Sequence, residues 1–222
     1  MRKRYRLGEV AKIEVGNIVP EKKPFTKVGL PFITAKNLKQ LMLDNNIHQL
    51  PKINGAFKKH FMCTTVPAKT ILLTKTKDTN KHVYQCKNEV FIANDIVAII
   101  PNESVILSDY LFHFLKWYPI NKECNYLDSI TLNIPMIDIQ YKMVQLLNMI
   151  QLLLKNKDSL MTALDGLPQH SDHLFMQIEN HATNLQAGFN GVQYLYNEML
   201  HKIFKGELYT EMQELELLKN YQ

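Results

Sequence analysis

The spacing of apolar residues changes at Pro135, and that change dictates the plan of the chain. From about Asp138 to Leu164, Met143, Leu147, Ile150, Leu154, Met161 and Leu164 recur at heptad spacing, with Lys157 the single polar residue in the stripe. Such a stripe requires one helix about 40 Å long at 1.5 Å per residue, more than a neighbouring domain needs for its own core. Asp165-Gly166-Leu167-Pro168 then interrupts it, because glycine accepts a left-handed cap and proline cannot continue a helix. A second periodic run, from about Ser171 to Lys205, has a seam of Leu174, Ile178, Leu185, Val192, Leu195 and Met199 and stops at Gly206. Two long helices across a short break predict an antiparallel, coiled-coil-like hairpin over residues 137–208, suited to a spacer or a partner interface. Residues 209–222 form an acidic tail.

Residues 1–136 follow the other period. Leu7, Val10 and Ala11 have helical spacing and run into a strand that stops at Gly16-Asn17. Short β-branched or aromatic runs at 31–34, 70–74, 83–86, 95–100 and 130–134 predict strands. Ser108 is placed to cap a helix with Leu111, Phe114 and Leu115 on its apolar face, ending before Pro119. The expected fold class is therefore α+β: a mixed α/β domain of short strands followed by the helical hairpin.

Charge separates the same two parts. Residues 1–90 hold 18 Lys/Arg and 6 Asp/Glu, a balance of +12, and the remainder hold 8 and 15, a balance of −7. A basic domain gains by displacing counterions from nucleic acid, whereas an ordinary solvated surface has no need of such asymmetry. A hydrophobic content of 46% supplies a core, and no apolar run is long enough for a membrane span. The N-terminal Arg2-Lys3-Arg4-Tyr5-Arg6 leads into Leu7-Gly8-Glu9 rather than an apolar signal region, so a cytoplasmic address is expected. Cys63, Cys86 and Cys124 are an odd number without Cys-x-x-Cys spacing, expected as reduced, half-buried thiols.

Catalytic signatures are missing from the sequence. It contains no P-loop, dinucleotide fingerprint, nucleophile elbow or His-Glu-x-x-His run. Glu21-Lys22-Lys23 has the Glu-x-Lys form used by some nucleases but stands alone between Pro20 and Pro24. His170, His173 and His181 could share a helix face, yet no thiolate or carboxylate completes a metal set, so no metal is expected. Three basic loops carry more information. Thr74 to His82 lies between two predicted strands and presents Lys75, Lys77, Asn80, Lys81 and His82, side chains that bond phosphates and base edges. Lys22 and Lys23 lie in a second loop, Lys58 and Lys59 in a third, and Lys36 and Asn37 add further phosphate-positioning groups. DNA binding is the function this pattern favours; the competing reading is a non-enzymatic adaptor whose hairpin binds another helical protein.

The order of these signals resembles one half of a type I restriction-modification specificity subunit. Leu7-Gly8-Glu9-Val10-Ala11-Lys12-Ile13 is similar to the family's opening, and Pro31-Phe32-Ile33-Thr34-Ala35-Lys36-Asn37-Leu38 to its Pro-Phe-Ile segment. Val66-Pro67-Ala68-Lys69-Thr70-Ile71-Leu72-Leu73-Thr74 is similar to a family strand, with Lys69 and Thr70 replacing the usual glycine region. The junction Ile134-Pro135-Met136-Ile137-Asp138-Ile139-Gln140-Tyr141-Lys142-Met143-Val144 is the most specific match, and Phe204-Lys205-Gly206-Glu207-Leu208 resembles the family's helix end. The resemblance implies a non-catalytic chain: residues 1–136 as a target-recognition domain on double-stranded DNA, and long helices that dock methyltransferase subunits and, in some systems, a restriction subunit. This chain would bind no cofactor; S-adenosylmethionine would sit on the methyltransferase. Ordinary members carry two recognition domains in tandem and this sequence carries one, which suggests a homodimer formed through the helices. Met143, Leu147, Ile150, Leu154, Leu195 and Met199 are then the pairing and docking residues.

Overall fold

A computed structural model describes residues 3–18, 25–44, 46–54, 64–75, 82–120, 124–165, 172–205 and 207. The chain forms two compact units, Met1–Gln140 and Tyr141–Gln222. In the first unit, β1 (Lys3–Arg6), α1 (Leu7–Val10) and β2 (Ala11–Val15) are followed by β3 (Phe25–Thr26), β4 (Leu30–Ile33) and α2 (Ala35–Asp44). The strands β5 (Lys52–Ile53), β6 (Thr64–Val66), β7 (Ile71–Thr74), β8 (Val83–Gln85), β9 (Val90–Ile92) and β10 (Ile96–Pro101) come next. Then α3 (Ser108–Trp117) and β11 (Thr131–Ile134) lead into α4 (Ile137–Asp165), and the second unit adds α5 (Asp172–Lys205).

The described strands form three sheets, in the orders β1-β11, β2-β10-β7-β8 and β3-β5-β4-β9-β6. Ile96, Val97, Ala98 and Ile99 of β10 are all buried, the pattern of a strand covered on both faces, and β10 accordingly lies between β2 and β7. β11 instead alternates, burying Leu132 and Ile134 and exposing Thr131 and Asn133, so it lies on the core with one face only. Its partner is β1, with Tyr5 opposite Leu132. Both larger sheets contribute to one core: Ile33, Val90 and Ile92 meet Leu72, Ile96 and Ala98, and α2 inserts Leu38 and Leu41. Each of these leucines is buried completely or nearly so, contributing about 1.5–3 kcal/mol.

Local expectations and structure diverge at two places. Ser108 is the first residue of α3 rather than its cap; the cap is Leu107, and the amide of Ser108 donates to Glu103 Oε1 at 3.0 Å. A carboxylate arriving from the preceding turn thus does the work assigned to the serine hydroxyl, favoured by the partial positive charge of the helix start. Burial opposes ionisation of Glu103, but hydrogen bonds from Ser108 and the ammonium of Lys69 outweigh it and hold the carboxyl below its usual range. Cys86 is fully buried rather than half-buried, and desolvation pushes its thiol up to about 12. Cys63 lies outside the described residues.

Gln140 explains the sequence of the domain-to-helix junction. It is 0% exposed in the first turns of α4. Its Oε1 accepts the Leu107 amide at 2.8 Å, and its Nε2 donates to Val105 O and Pro135 O, each at 2.9 Å. One side chain therefore satisfies three main-chain groups where strand β11 becomes helix α4. Neither hydrophobic residues nor a shorter amide can do this at that depth.

In the second unit, Met143, Val144, Leu147 and Ile150 of α4 are buried, as are Tyr196, Leu200, Ile203 and Phe204 of α5. The Gln151 amide donates to the Tyr196 hydroxyl at 2.6 Å, joining the two helices. Burial raises the Tyr196 phenol's pKa, an effect that the Gln151 bond opposes. Leu154 and Met199 are partly buried, and Leu195 is 51% exposed. The heptad residues Met161 and Leu164 lie in α4 without described side chains, and residues 166–171 and 208–222 lie outside the described part.

Candidate nucleic-acid interface

The basic segments are distant in sequence, and several strands that adjoin them end at one corner of the first unit. The corner is the turn Ala93-Asn94-Asp95 between β9 and β10. β2 arrives there: the Gly16 amide donates to Ile96 O at 3.2 Å, and Asn17 bridges Ala93 in parallel. Lys22 and Lys23 follow β2 in sequence. β4 also ends there, because it pairs in parallel with β9, Ile33 opposite Ile92, and the Ala93 amide donates to Ile33 O at 2.9 Å. β4 leads directly to Lys36 and Asn37 at the start of α2. β7 ends there too, with Thr74 opposite Ile96 and the Lys75 amide donating to Asp95 O at 2.8 Å. Thr64, which follows Lys58 and Lys59 in sequence, is opposite Ile92.

Close packing at the corner depends on glycine. A Cβ on Gly16 would stand 2.1 Å from Ala93 O and 2.6 Å from Ile92 O, both main-chain atoms. Only a residue without a side chain lets β2 approach this turn. Asp95 supplies the other fastening. Its Oδ2 accepts the Ala35 amide at 3.0 Å, the first amide of α2, while Thr34 Oγ1 accepts the Asn37 amide at 3.3 Å. Two of the orphan donors of the helix start are thereby satisfied.

Lys75 and Lys36 are both exposed, and Lys39 follows Lys36 on the exposed side of α2. Asn37 is half-buried, and its Nδ2 donates to Phe32 O at 3.3 Å, so this amide serves the strand end. His82 is half-buried, and its carbonyl accepts the Thr74 amide at 3.4 Å across the β7–β8 pair. Lys22, Lys23, Lys58, Lys59, Lys77, Asn80 and Lys81 lie outside the described residues. Elsewhere, Lys12 pairs with Glu14 and Lys69 with Glu103, the second at 3.3 Å; both are surface pairs that contribute little to stability.

Lys69 carries a second message. It adopts φ +68°, the left-handed region in which glycine is unstrained. Its amide donates to Cys86 O at 2.7 Å, which holds the turn between β6 and β7 in place. The glycine usual at this point in the resembling family therefore has a conformational reason, and this chain meets the same demand with a lysine. Asp95 and Glu103 were not singled out by sequence reasoning. Asn94-Asp95 does read as a turn between two apolar runs, but which helix its carboxylate would meet is a matter of tertiary pairing.

Among the described residues, no group of His, Cys, Asp and Glu could hold a metal ion, and no helix is long and apolar enough to cross a membrane. The chain belongs to the type I restriction modification DNA specificity domain family, whose sequence profile matches residues 3–159. Solved structures similar to it include the HsdS subunit from Thermoanaerobacter tengcongensis, at 16% identity and a TM-score of 0.47, covering 92% of this chain and 45% of that one. The type I restriction-modification S subunit from M. genitalium is 11% identical with a TM-score of 0.45, covering 75% of this chain and 43% of that one. The chain thus spans less than half the length of either. No curated protein matches it.

Proposed function

We propose that this chain is a non-catalytic specificity subunit that reads one half of a bipartite DNA site through the corner around Ala93-Asn94-Asp95. What supports this reading is that strands adjoining the basic segments end at this turn: β2 precedes Lys22 and Lys23 in sequence, β4 precedes Lys36 and Asn37, β7 precedes Lys75 to His82, and Thr64, which follows Lys58 and Lys59, pairs with Ile92. Lysines contribute phosphate attraction and register, while Asn80 and His82 offer hydrogen bonds to base edges. The second unit pairs with that of another copy through an antiparallel helical hairpin and docks methyltransferase subunits, which carry S-adenosylmethionine, and, where one exists, a restriction subunit. Met143, Leu147 and Ile150 are buried within the single chain and support pairing of its own helices, while half-buried Leu154 and Met199 and exposed Leu195 are left for a partner's face. The workplace of such a complex is the cytoplasm.

The test is duplex affinity across a salt series for the chain and for its Lys75→Ala/Lys77→Ala/Lys81→Ala variant. Each lost phosphate contact should flatten the slope of log affinity against log salt by about 0.9. Equal affinity and slope in the variant would reject the loop from 75 to 82 as the reading element. Light scattering of the chain with and without duplex tests the pairing, and a strict monomer under both conditions overturns it.

A further inference from the structure

Asp95 is bonded to two chain segments that carry cationic residues. Its carboxylate Oδ2 holds the Ala35 amide at 3.0 Å, and its main-chain carbonyl holds the Lys75 amide at 2.8 Å. The first contact fixes the opening turn of α2, where Lys36 is exposed; the second fixes the point at which the chain leaves β7 for Lys77, Asn80 and Lys81. The other carboxylate oxygen, Oδ1, is buried with no hydrogen-bond partner among the described residues. Its neighbour Ala93 is pinned on both sides, donating to Ile33 O at 2.9 Å and lying against Gly16. The turn that presents Asp95 is therefore held by strands, which gives the carboxylate a defined position from which to hold the helix start.

An acid at the centre of a phosphate-binding corner is unexpected on charge alone, since it repels the ligand. Two features of its placement offset this. The charge faces the partially positive N-terminus of α2, which favours an anion there, and one of its oxygens is turned away from water. We infer that Asp95 is a positioning residue for DNA recognition, setting Lys36 and the Lys75 segment in register with each other. This inference rests on the DNA-reading function proposed above. It predicts an effect opposite in sign to simple electrostatics: removing the acceptor that holds the Ala35 amide weakens DNA binding even though a negative charge is removed with it, because geometry is lost along with the repulsion.

The experiment uses the full chain and a pool of random-sequence duplexes, with affinity measured by fluorescence anisotropy over a salt series. Asp95→Asn keeps an oxygen acceptor for the Ala35 amide and should bind within about twofold of the parent. Asp95→Ala removes the acceptor and should bind about tenfold more weakly, with a flatter salt slope from lost phosphate contacts. Asp95→Ser, whose hydroxyl is too short to reach, gives the same comparison if the alanine variant does not fold. Glu89→Ala removes one exposed acid from the same domain and controls for net charge. Equal or tighter binding by folded Asp95→Ala or Asp95→Ser overturns the inference, as does an asparagine variant as weak as alanine. If the parent chain shows no salt-dependent binding to the pool, the DNA-reading function itself fails, a result distinct from failure of the positioning role.

Discussion

Replacing Gln140 with methionine tests whether the junction glutamine holds the fold through hydrogen bonds or through bulk. Methionine matches the side chain in length and flexibility, so packing is nearly conserved. Three contacts disappear: the Leu107 amide loses its 2.8 Å acceptor, and the carbonyls of Val105 and Pro135 lose their 2.9 Å donor. A buried group left unsatisfied costs about 1–3 kcal/mol, less for a carbonyl that finds another partner, so the total should be about 3–5 kcal/mol. Against a usual stability of roughly 5–15 kcal/mol this is a large share. Urea unfolding followed by circular dichroism gives the midpoint shift, and amide exchange at Leu107 reports the lost bond directly. Gln140→Glu supplies the pH arm. Its carboxylate can still accept from Leu107 but faces two carbonyls, so its pKa in the folded state lies above the reference of about 4.3. The stability deficit against the parent should then be smallest below that reference and grow as pH rises through the folded value. A loss under about 1 kcal/mol for methionine, with unchanged exchange at Leu107, would refute the reasoning.

Other outcomes follow from single residues. Lys69→Gly should be about 0.5–1 kcal/mol more stable than Lys69→Ala in urea titration, since both lose the Glu103 pair but only glycine relieves the left-handed strain, less its added freedom when unfolded. Gly16→Ala forces a methyl group into the Ala93 and Ile92 carbonyls and should cost about 2–3 kcal/mol, measured as a lowered melting temperature. The Glu103 carboxyl is held below its usual range, so its stabilising contribution is present above the unfolded-state value and lost as pH falls through the folded one. Glu103→Gln should therefore flatten the acid limb of the stability profile obtained from unfolding at a series of pH values.

The sequence by itself determined the elements whose signal is local. The heptad stripe required α4, and the apolar run at 95–100 and the alternation of Ile130, Leu132 and Ile134 required strands. Periodicity reports which faces are buried, so these could be read without a partner. It could not supply β1, whose cationic residues look like a solvated terminus until β11 pairs with it, or α2, whose two buried leucines acquire meaning only against the sheets. The basic loops were legible as composition, but the meeting of strands β2, β4 and β7 at Ala93-Asn94-Asp95 was decided by pairings that local pattern does not encode: β4 beside β9 in parallel, and β2 and β7 on either side of β10. Gln140 shows the same division. Its place in the junction was visible in the sequence, whereas its three partners were fixed only when the 105–107 segment and Pro135 closed around it and excluded the water that would otherwise have served those groups.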